Sequence, residues 1–376
     1  MPEVCDGDVL GDATCESLGY AGGTLGCRND CHFDVSECSL CDPTIPNCTQ
    51  LNSDEGVAAQ ASIIDGTRLV IVSAGFTGLR LRILQASDFS VISETECFGG
   101  TRLGQRHVAI ANLPSGYVVA SVLGSATQIY TFDDDGMLIG ERTEENMHGP
   151  IFASRPDGGP LLVWQAFPEN VARISLLDDD GEALYDRELF AEPLETEYGD
   201  ATYVGDGFLV ALRGPGGVRV DRVEMDGTVT STHLPGSDGT EYPRIDWNGS
   251  VAHMTWRSFR GDEPPLYWAT YNAAGSLTNG PVVLEACGRS NQAEVLASEN
   301  GAMLLLNEHT GLTGVSDTLW MQSIDNAGNL GEPRTLVTVG RQGDAVLLGT
   351  PAAPIATWVQ LGYPGSLGLA ALDAFE

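Results

Sequence analysis

Arginine, histidine and tyrosine are sparse in this chain, and their positions carry most of the chemistry that can be read from it. Arg106, His107, His148, Tyr242, Arg244, Arg257, Arg260, Arg289 and Arg341 fall on or beside long, irregular connections between short apolar segments. Guanidinium groups recognise carboxylates and sulfates through paired hydrogen bonds, so a convergence of these residues would form a ligand-binding patch. The competing reading pairs the arginines with Glu195, Glu197, Asp262 and Glu263, leaving them only to hold loops. Catalytic signals are weak. No H-E-x-x-H, G-x-S-x-G or P-loop spacing occurs. The six histidines are scattered. No catalytic residue is assigned, and binding is favoured over catalysis.

The connections belong to a repeat of about 46 residues that runs from near Val57 to the C-terminus. Five units show an acidic or amide turn closing on glycine: Asp133-Asp134-Asp135-Gly136, Asp178-Asp179-Asp180-Gly181, Met225-Asp226-Gly227, Asn272-Ala273-Ala274-Gly275 and Asp325-Asn326-Ala327-Gly328. The glycines stand 45, 46, 48 and 53 residues apart. A repeat of this length built from short strands predicts an all-β fold, a seven-bladed β-propeller with four-stranded antiparallel blades. The most apolar strand of each unit is its second, at 69–73, 117–122, 161–165, 208–212, 251–256, 302–307 and 355–360. Such runs suit a strand covered on both faces. Third strands alternate, as in Val218-Arg219-Val220-Asp221-Arg222-Val223.

Units fall at 57–102, 103–147, 148–195, 196–238, 239–287, 288–340 and 341–376, with six or eight blades as alternatives. The last unit stops after its third strand. The segment around Thr49-Gln50-Leu51 is expected to supply the missing outer strand, the alternative being an open edge. Short acidic turns would then gather on one face and the long loops 98–106, 191–198, 258–265, 286–291 and 309–317 on the other, the face where function is expected. No cofactor is expected. Calcium is the alternative for the acidic turns, but they lack the D-x-D-x-D-G ligand spacing.

Tyr242, Arg244 and Glu294 have the residue types of the carboxylate clamp and nucleophile of a sialidase-like site, without the S-x-D-x-G-x-x-W box that family would show. The chain has 376 residues, 42% of them hydrophobic, enough for a large core. Its net charge is -33 and all 19 basic residues are arginine, so nucleic acid and anionic lipid are excluded as partners. No segment is long and apolar enough for a transmembrane helix.

Seven of nine cysteines lie in the first 48 residues: Cys5, Cys15, Cys27, Cys31, Cys38, Cys41 and Cys48. With few apolar residues around them they read as a disulfide framework over 1–50, ahead of a propeller over 51–376, in an extracellular or cell-surface setting. The alternative is zinc, from the Cys27-x3-Cys31 and Cys38-x2-Cys41 spacings with His32 nearby. Cys97 and Cys287 read as buried thiols, or one pairs with the odd cysteine of the head. The opening Met1-Pro2-Glu3-Val4-Cys5 has no signal-peptide pattern, and seven is odd for a closed framework; a trimmed or misplaced start is expected.

Cys5-Asp6-Gly7, Thr14-Cys15-Glu16-Ser17-Leu18-Gly19, Gly22-Gly23-Thr24-Leu25-Gly26-Cys27 and Cys31-His32-Phe33-Asp34-Val35-Ser36-Glu37-Cys38 resemble a Cys-rich repeat of secreted and surface proteins of myxobacteria. The resemblance covers residues 3–38, and the Cys-Gly-Asn-Gly stretch usual upstream is missing. It implies a secreted or lipid-anchored protein and no catalytic activity. The expected function is a surface or secreted module that binds a glycan, an anionic polymer or a surface protein through the long-loop face. The alternatives are a polysaccharide hydrolase or lyase and a structural spacer.

Overall fold

The computed structural model describes residues 5, 10–11, 13–15, 22–27, 33–39, 48–52, 57–75, 78–97, 107–124, 126–193, 195–214, 217–233, 240–258, 266–284, 290–308, 318–337, 341–350, 352–361 and 366–372. The described residues form strands and turns, with no helix among them. Seven four-stranded antiparallel sheets follow one another along the chain. Blade 1 shows the plan: Val57–Asp65, Arg68–Gly75, Leu79–Gln85 and Val91–Cys97 pair in sequence order.

The first strand of each blade is innermost. These are Val57–Asp65, Val108–Leu113, Met147–Ala153, Glu195–Tyr203, Thr240–Trp247, Ser290–Ser298 and Arg341–Thr350. Each touches the next around the ring, and Arg341–Thr350 returns to Val57–Asp65. Blade 7 is completed from the other end of the chain. Cys48–Asn52 pairs with Ser366–Ala371, Thr49 opposite Leu369 and Leu51 opposite Leu367. The segment expected to close the ring does so.

Second strands are apolar because each is sandwiched between neighbouring blades. Leu69, Val70, Ile71 and Val72 are all fully buried, as are Leu209, Val210, Ala211 and Leu212. Alternate residues serve opposite neighbours. Val70 and Val72 join Tyr117, Val119 and Phe132 of blade 2, whereas Leu69 and Ile71 join Val359, Leu367 and Leu369 of blade 7. In the third strand of blade 4, Gly217–Glu224, the polar residues Arg219, Asp221 and Arg222 are buried too. Arg219 and Asp221 form an internal ion pair at 2.7 Å.

The acidic turns follow one design. One oxygen of Asp133 accepts the amides of Asp135 and Met137, and Asp178 and Asp325 do the same in their turns. These carboxylates are spent on the backbone of the turn, an Asx arrangement. At the tip between first and second strands of blade 2, Gly116 has φ 145°, and a Cβ there would stand 2.1 Å from the Phe132 carbonyl oxygen. Gly116→Ala is expected to destabilise the protein by at least about 1 kcal/mol, read as a lower denaturation midpoint, because φ and space both exclude a side chain.

The N-terminal segment holds a two-stranded sheet, Gly22–Cys27 with Phe33–Ser39. Cys5–Cys27 and Cys15–Cys38 are disulfides, and Cys15, Cys38 and Leu25 form a small core with Leu10, Ala13 and Phe33. Both bridges remove Cys27 and Cys38 as zinc ligands. Cys31, Cys41 and Cys287 lie outside the described residues, as does the side chain of Cys48. Cys97 is a buried free thiol, and burial raises its pKa to about 11, which leaves it unreactive at neutral pH.

Candidate functional site

Six of the seven innermost strands are irregular near the end that meets the long loops, and three of these breaks shape the site. Register breaks between Glu195 and Asp200 in blade 4, Glu241 and Arg244 in blade 5, and Ser290 and Gln292 in blade 6. A bulge re-aims the side chains beside it. In blade 5 it contains Tyr242, at φ 55°, and Pro243, which has no N–H to give the ladder.

The bulged strands bring three charged groups together. The Arg244 Nε donates to Glu294 Oε1 at 2.7 Å, and its Nη1 donates to the carbonyls of Pro243 (3.0 Å) and Gly199 (3.3 Å). Asp200 accepts the Ile245 amide at 2.8 Å and the Ala201 amide at 2.9 Å. Adjacent blades thus contribute acid, base and acid in turn. Burial pushes the Asp200 carboxyl up to about 7; Arg244 opposes the rise and Glu294 adds to it. Asp200 is enclosed by protein yet keeps part of its surface accessible. Asp246, two residues beyond Arg244, accepts the Ala297 amide of blade 6 at 2.8 Å, and burial raises it to about 6.

Other expected site residues are more dispersed. Arg257 is buried on the second strand of blade 5, opposite Glu241 in the ladder, and so shares a blade with Tyr242 and Arg244. His148 lies in the innermost strand of blade 3, its ring 5.5 Å from that of the exposed Phe167. His107 immediately precedes the innermost strand of blade 2, and its carbonyl accepts the Val122 amide. Arg341 opens the innermost strand of blade 7, with its side chain outside the described residues, where Arg106, Arg260 and Arg289 also lie. His253 is a core residue: it is fully buried against Trp268, and burial lowers its pKa to about 4.

Sequence reasoning singled out Tyr242, Arg244 and Glu294 but missed Asp200 and Asp246. The available signal was an acid flanked by small or apolar residues near the end of an innermost strand, in Gly199-Asp200-Ala201 and Ile245-Asp246-Trp247. Removing the guanidinium takes a counter-charge away from Glu294 and Asp200. Arg244→Met is expected to destabilise by about 2 kcal/mol, below the 3–5 kcal/mol of a fully buried pair because both partners are partly exposed. Arg244→Met with Glu294→Met should recover much of that loss. Urea midpoints at pH 7.5 for the single and double variants test this.

The fold defines the class: a β-propeller, closed by its N-terminal strand. No protein-family model matches the chain, and no curated protein does. Solved structures do. The WD40 domain of Toxoplasma gondii coronin superposes with a TM-score of 0.50 at 12% identity, over 89% of this chain and 88% of that one. The N10 neuraminidase-like protein of A/little yellow-shouldered bat/Guatemala/060/2010 gives 0.48 at 10% identity, over 87% and 98%. Trypanosoma rangeli sialidase gives 0.47 at 11% identity, over 87% and 60%. At such identities the likeness speaks for the fold alone.

Proposed function

We propose that this protein is an exported, non-catalytic binding module that recognises a glycan at the long-loop end of its central channel. One observation carries the reading: Arg244, Glu294 and Asp200 converge there from three bulged strands. A guanidinium already paired with a carboxylate presents donors and acceptors side by side. Sugar hydroxyls need both at once, whereas a sulfate or a polyanion needs unopposed positive charge. The site therefore favours a neutral or weakly charged glycan over an anionic polymer. Two disulfides in the head support an oxidising, extracellular setting, and the resemblance of residues 3–38 supports a surface location.

The test is a glycan-array screen of the oxidised, folded protein, with and without calcium, repeated with Glu294→Gln. That substitution keeps shape and removes one acceptor charge. Selective hits on neutral glycans, weakened at least tenfold in Glu294→Gln, are the expected result. A blank array from folded protein replaces the glycan with a protein partner or a spacer role. Hits indifferent to Glu294→Gln move the site elsewhere. A polysaccharide hydrolase or lyase is the second reading, favoured by the protonation of Asp200 near neutral pH beside a carboxylate. Turnover of the bound glycan, lost in Asp200→Asn, would establish it.

A further inference from the structure

Among the described residues, Phe167 is the one aromatic ring in the set of exposed large hydrophobic side chains. The others, such as Val91, Ile139 and Leu184, are aliphatic and lie on or beside outer strands. Phe167 sits elsewhere, in the connection between the second and third strands of blade 3, Leu161–Ala166 and Val171–Leu177. Ala166 pairs with Met147, the first residue of the innermost strand, so this connection stands at the long-loop end, beside the channel mouth. Its backbone is anchored. The Phe167 amide donates to the Asn146 carbonyl at 2.9 Å, and the Asn170 amide to the Ala166 carbonyl at 2.8 Å. Asn170 takes the left-handed backbone at φ 57°, which asparagine tolerates, and its Oδ1 accepts Gln165 Nε2 at 3.3 Å. The ring of Phe167 is nevertheless 48% exposed. The His148 ring, 5.5 Å away and inclined by 57°, backs it from the side of the innermost strand.

The innermost strand of blade 3 repeats the geometry of blade 5. Its register breaks between His148 and Ile151, across Gly149-Pro150, as that of blade 5 breaks between Glu241 and Arg244, across Tyr242-Pro243. Gly149 has φ 51° and Tyr242 φ 55°. Ile151 therefore stands at the level of Arg244, and His148 stands nearer the mouth, at the level of Glu241. Packing agrees. A Cβ on Gly199 would meet Ile151 Cδ1 at 2.9 Å, and Gly199 precedes Asp200 and gives its carbonyl to Arg244. His148 and Phe167 thus lie just outside the charged cluster, on the blade next to Asp200.

We propose that Phe167, backed by His148, is a stacking platform for a further sugar ring, and that the ligand is a neutral oligosaccharide rather than a single sugar. The inference rests on the glycan reading of the Arg244, Glu294 and Asp200 cluster. An aromatic face carries the negative end of the ring quadrupole, and the C–H groups on one face of a pyranose are apolar and slightly positive, so the two stack. The hydroxyls at the edge of a pyranose need the opposite kind of site, with donors and acceptors side by side, which the cluster supplies. Phe167 and Asp200 belong to neighbouring blades, about 10 Å apart at the spacing of sheets packed face to face. Linked rings bridge that gap, one held by its edge at the cluster and one by its face on Phe167.

The test is an array of neutral gluco-, galacto- and manno-configured glycans, from single sugars to hexasaccharides. It is probed with the full, oxidised protein and with Phe167→Leu, Phe167→Trp and Glu294→Gln. Leucine keeps apolar bulk at a half-exposed position and has no aromatic face, whereas tryptophan keeps the face. The intact protein should retain oligosaccharides and pass single sugars. Phe167→Leu should weaken the retained chains about tenfold or more and Phe167→Trp less than about threefold, at unchanged melting temperatures. Chains held equally by the intact protein and Phe167→Leu, yet lost in Glu294→Gln, overturn this inference and leave the glycan site standing. Single sugars held as tightly as chains overturn it, as do chains indifferent to Glu294→Gln, since the ligand must occupy both places. Equal loss in Phe167→Leu and Phe167→Trp overturns the stacking role. A blank array from folded, intact protein overturns the glycan reading itself and this inference with it.

Discussion

A chain lacking residues 1–52 is expected to melt at least about 10 °C lower than the intact protein, whereas one lacking only residues 1–40 melts within about 2 °C of it. The difference is the closing strand. Leu367, Leu369 and Ala370 have no exposed surface while Cys48–Asn52 covers their edge, and Leu51 packs on the same cluster. Uncovering Leu367 and Leu369 and losing Leu51 costs on the order of 5 kcal/mol at about 1.5–3 kcal/mol per large apolar side chain. The ladder along Ser366–Ala371 is lost as well. The damage extends past blade 7, because Leu69 and Ile71 of blade 1 share that cluster. An opened ring should therefore unfold from the seam, over a broader transition. The shorter truncation removes both disulfides of the head, Cys5–Cys27 and Cys15–Cys38, and their small core, which shares no residue with the clusters of the ring. Calorimetry on the two truncated chains measures both effects. Equal melting temperatures would mean that Cys48–Asn52 does not hold the ring shut.

Much of this architecture was legible in the residues because each blade repeats one physical problem. A strand between two neighbours must be apolar on both faces, so second strands such as Phe208–Leu212 stood out. A turn that docks on the preceding blade must be compact, so its glycine recurs. Blade 1 escaped the glycine pattern because Phe89 occupies that place with the same left-handed backbone and a buried ring. The third strand of blade 4 alternates in sequence, yet Arg219 and Asp221 are buried with each other rather than solvated, and alternation alone does not separate those cases. The charged cluster was legible only in part. Asp200, Arg244 and Glu294 lie 44 and 50 residues apart, about one repeat each, but the bulges that turn them together, though they recur in six blades, leave no residue pattern of their own in the sequence. Pro243 was the one visible cue.

Stability is expected to fall as pH rises from 5 to 8, and Asp200 and Asp246 are expected to cause a defined share of that fall. Both carboxyls titrate above their ordinary value of 3.8 in the folded chain, at about 7 and about 6. Folding therefore binds protons that the unfolded chain releases. Their stabilising contribution is complete below pH 3.8 and disappears as pH passes through 6 and 7, with a size on the order of 3 kcal/mol each. Self-repulsion in a chain of net charge -33 acts in the same direction, so the two origins must be separated. Salt separates them: at about 1 M the Debye length is near 3 Å, which screens surface charge and leaves enclosed groups largely untouched. The melting temperature in high salt should still decline between pH 5 and 8, and Asp246→Asn should flatten that decline. The slope is the readout, because asparagine also loses one backbone acceptor and shifts the whole curve. Arg244→Met should act oppositely and steepen the slope, since its guanidinium is the group that holds Asp200 down. Parallel slopes for all three proteins would assign the pH dependence to the surface and leave the channel carboxylates ionised throughout.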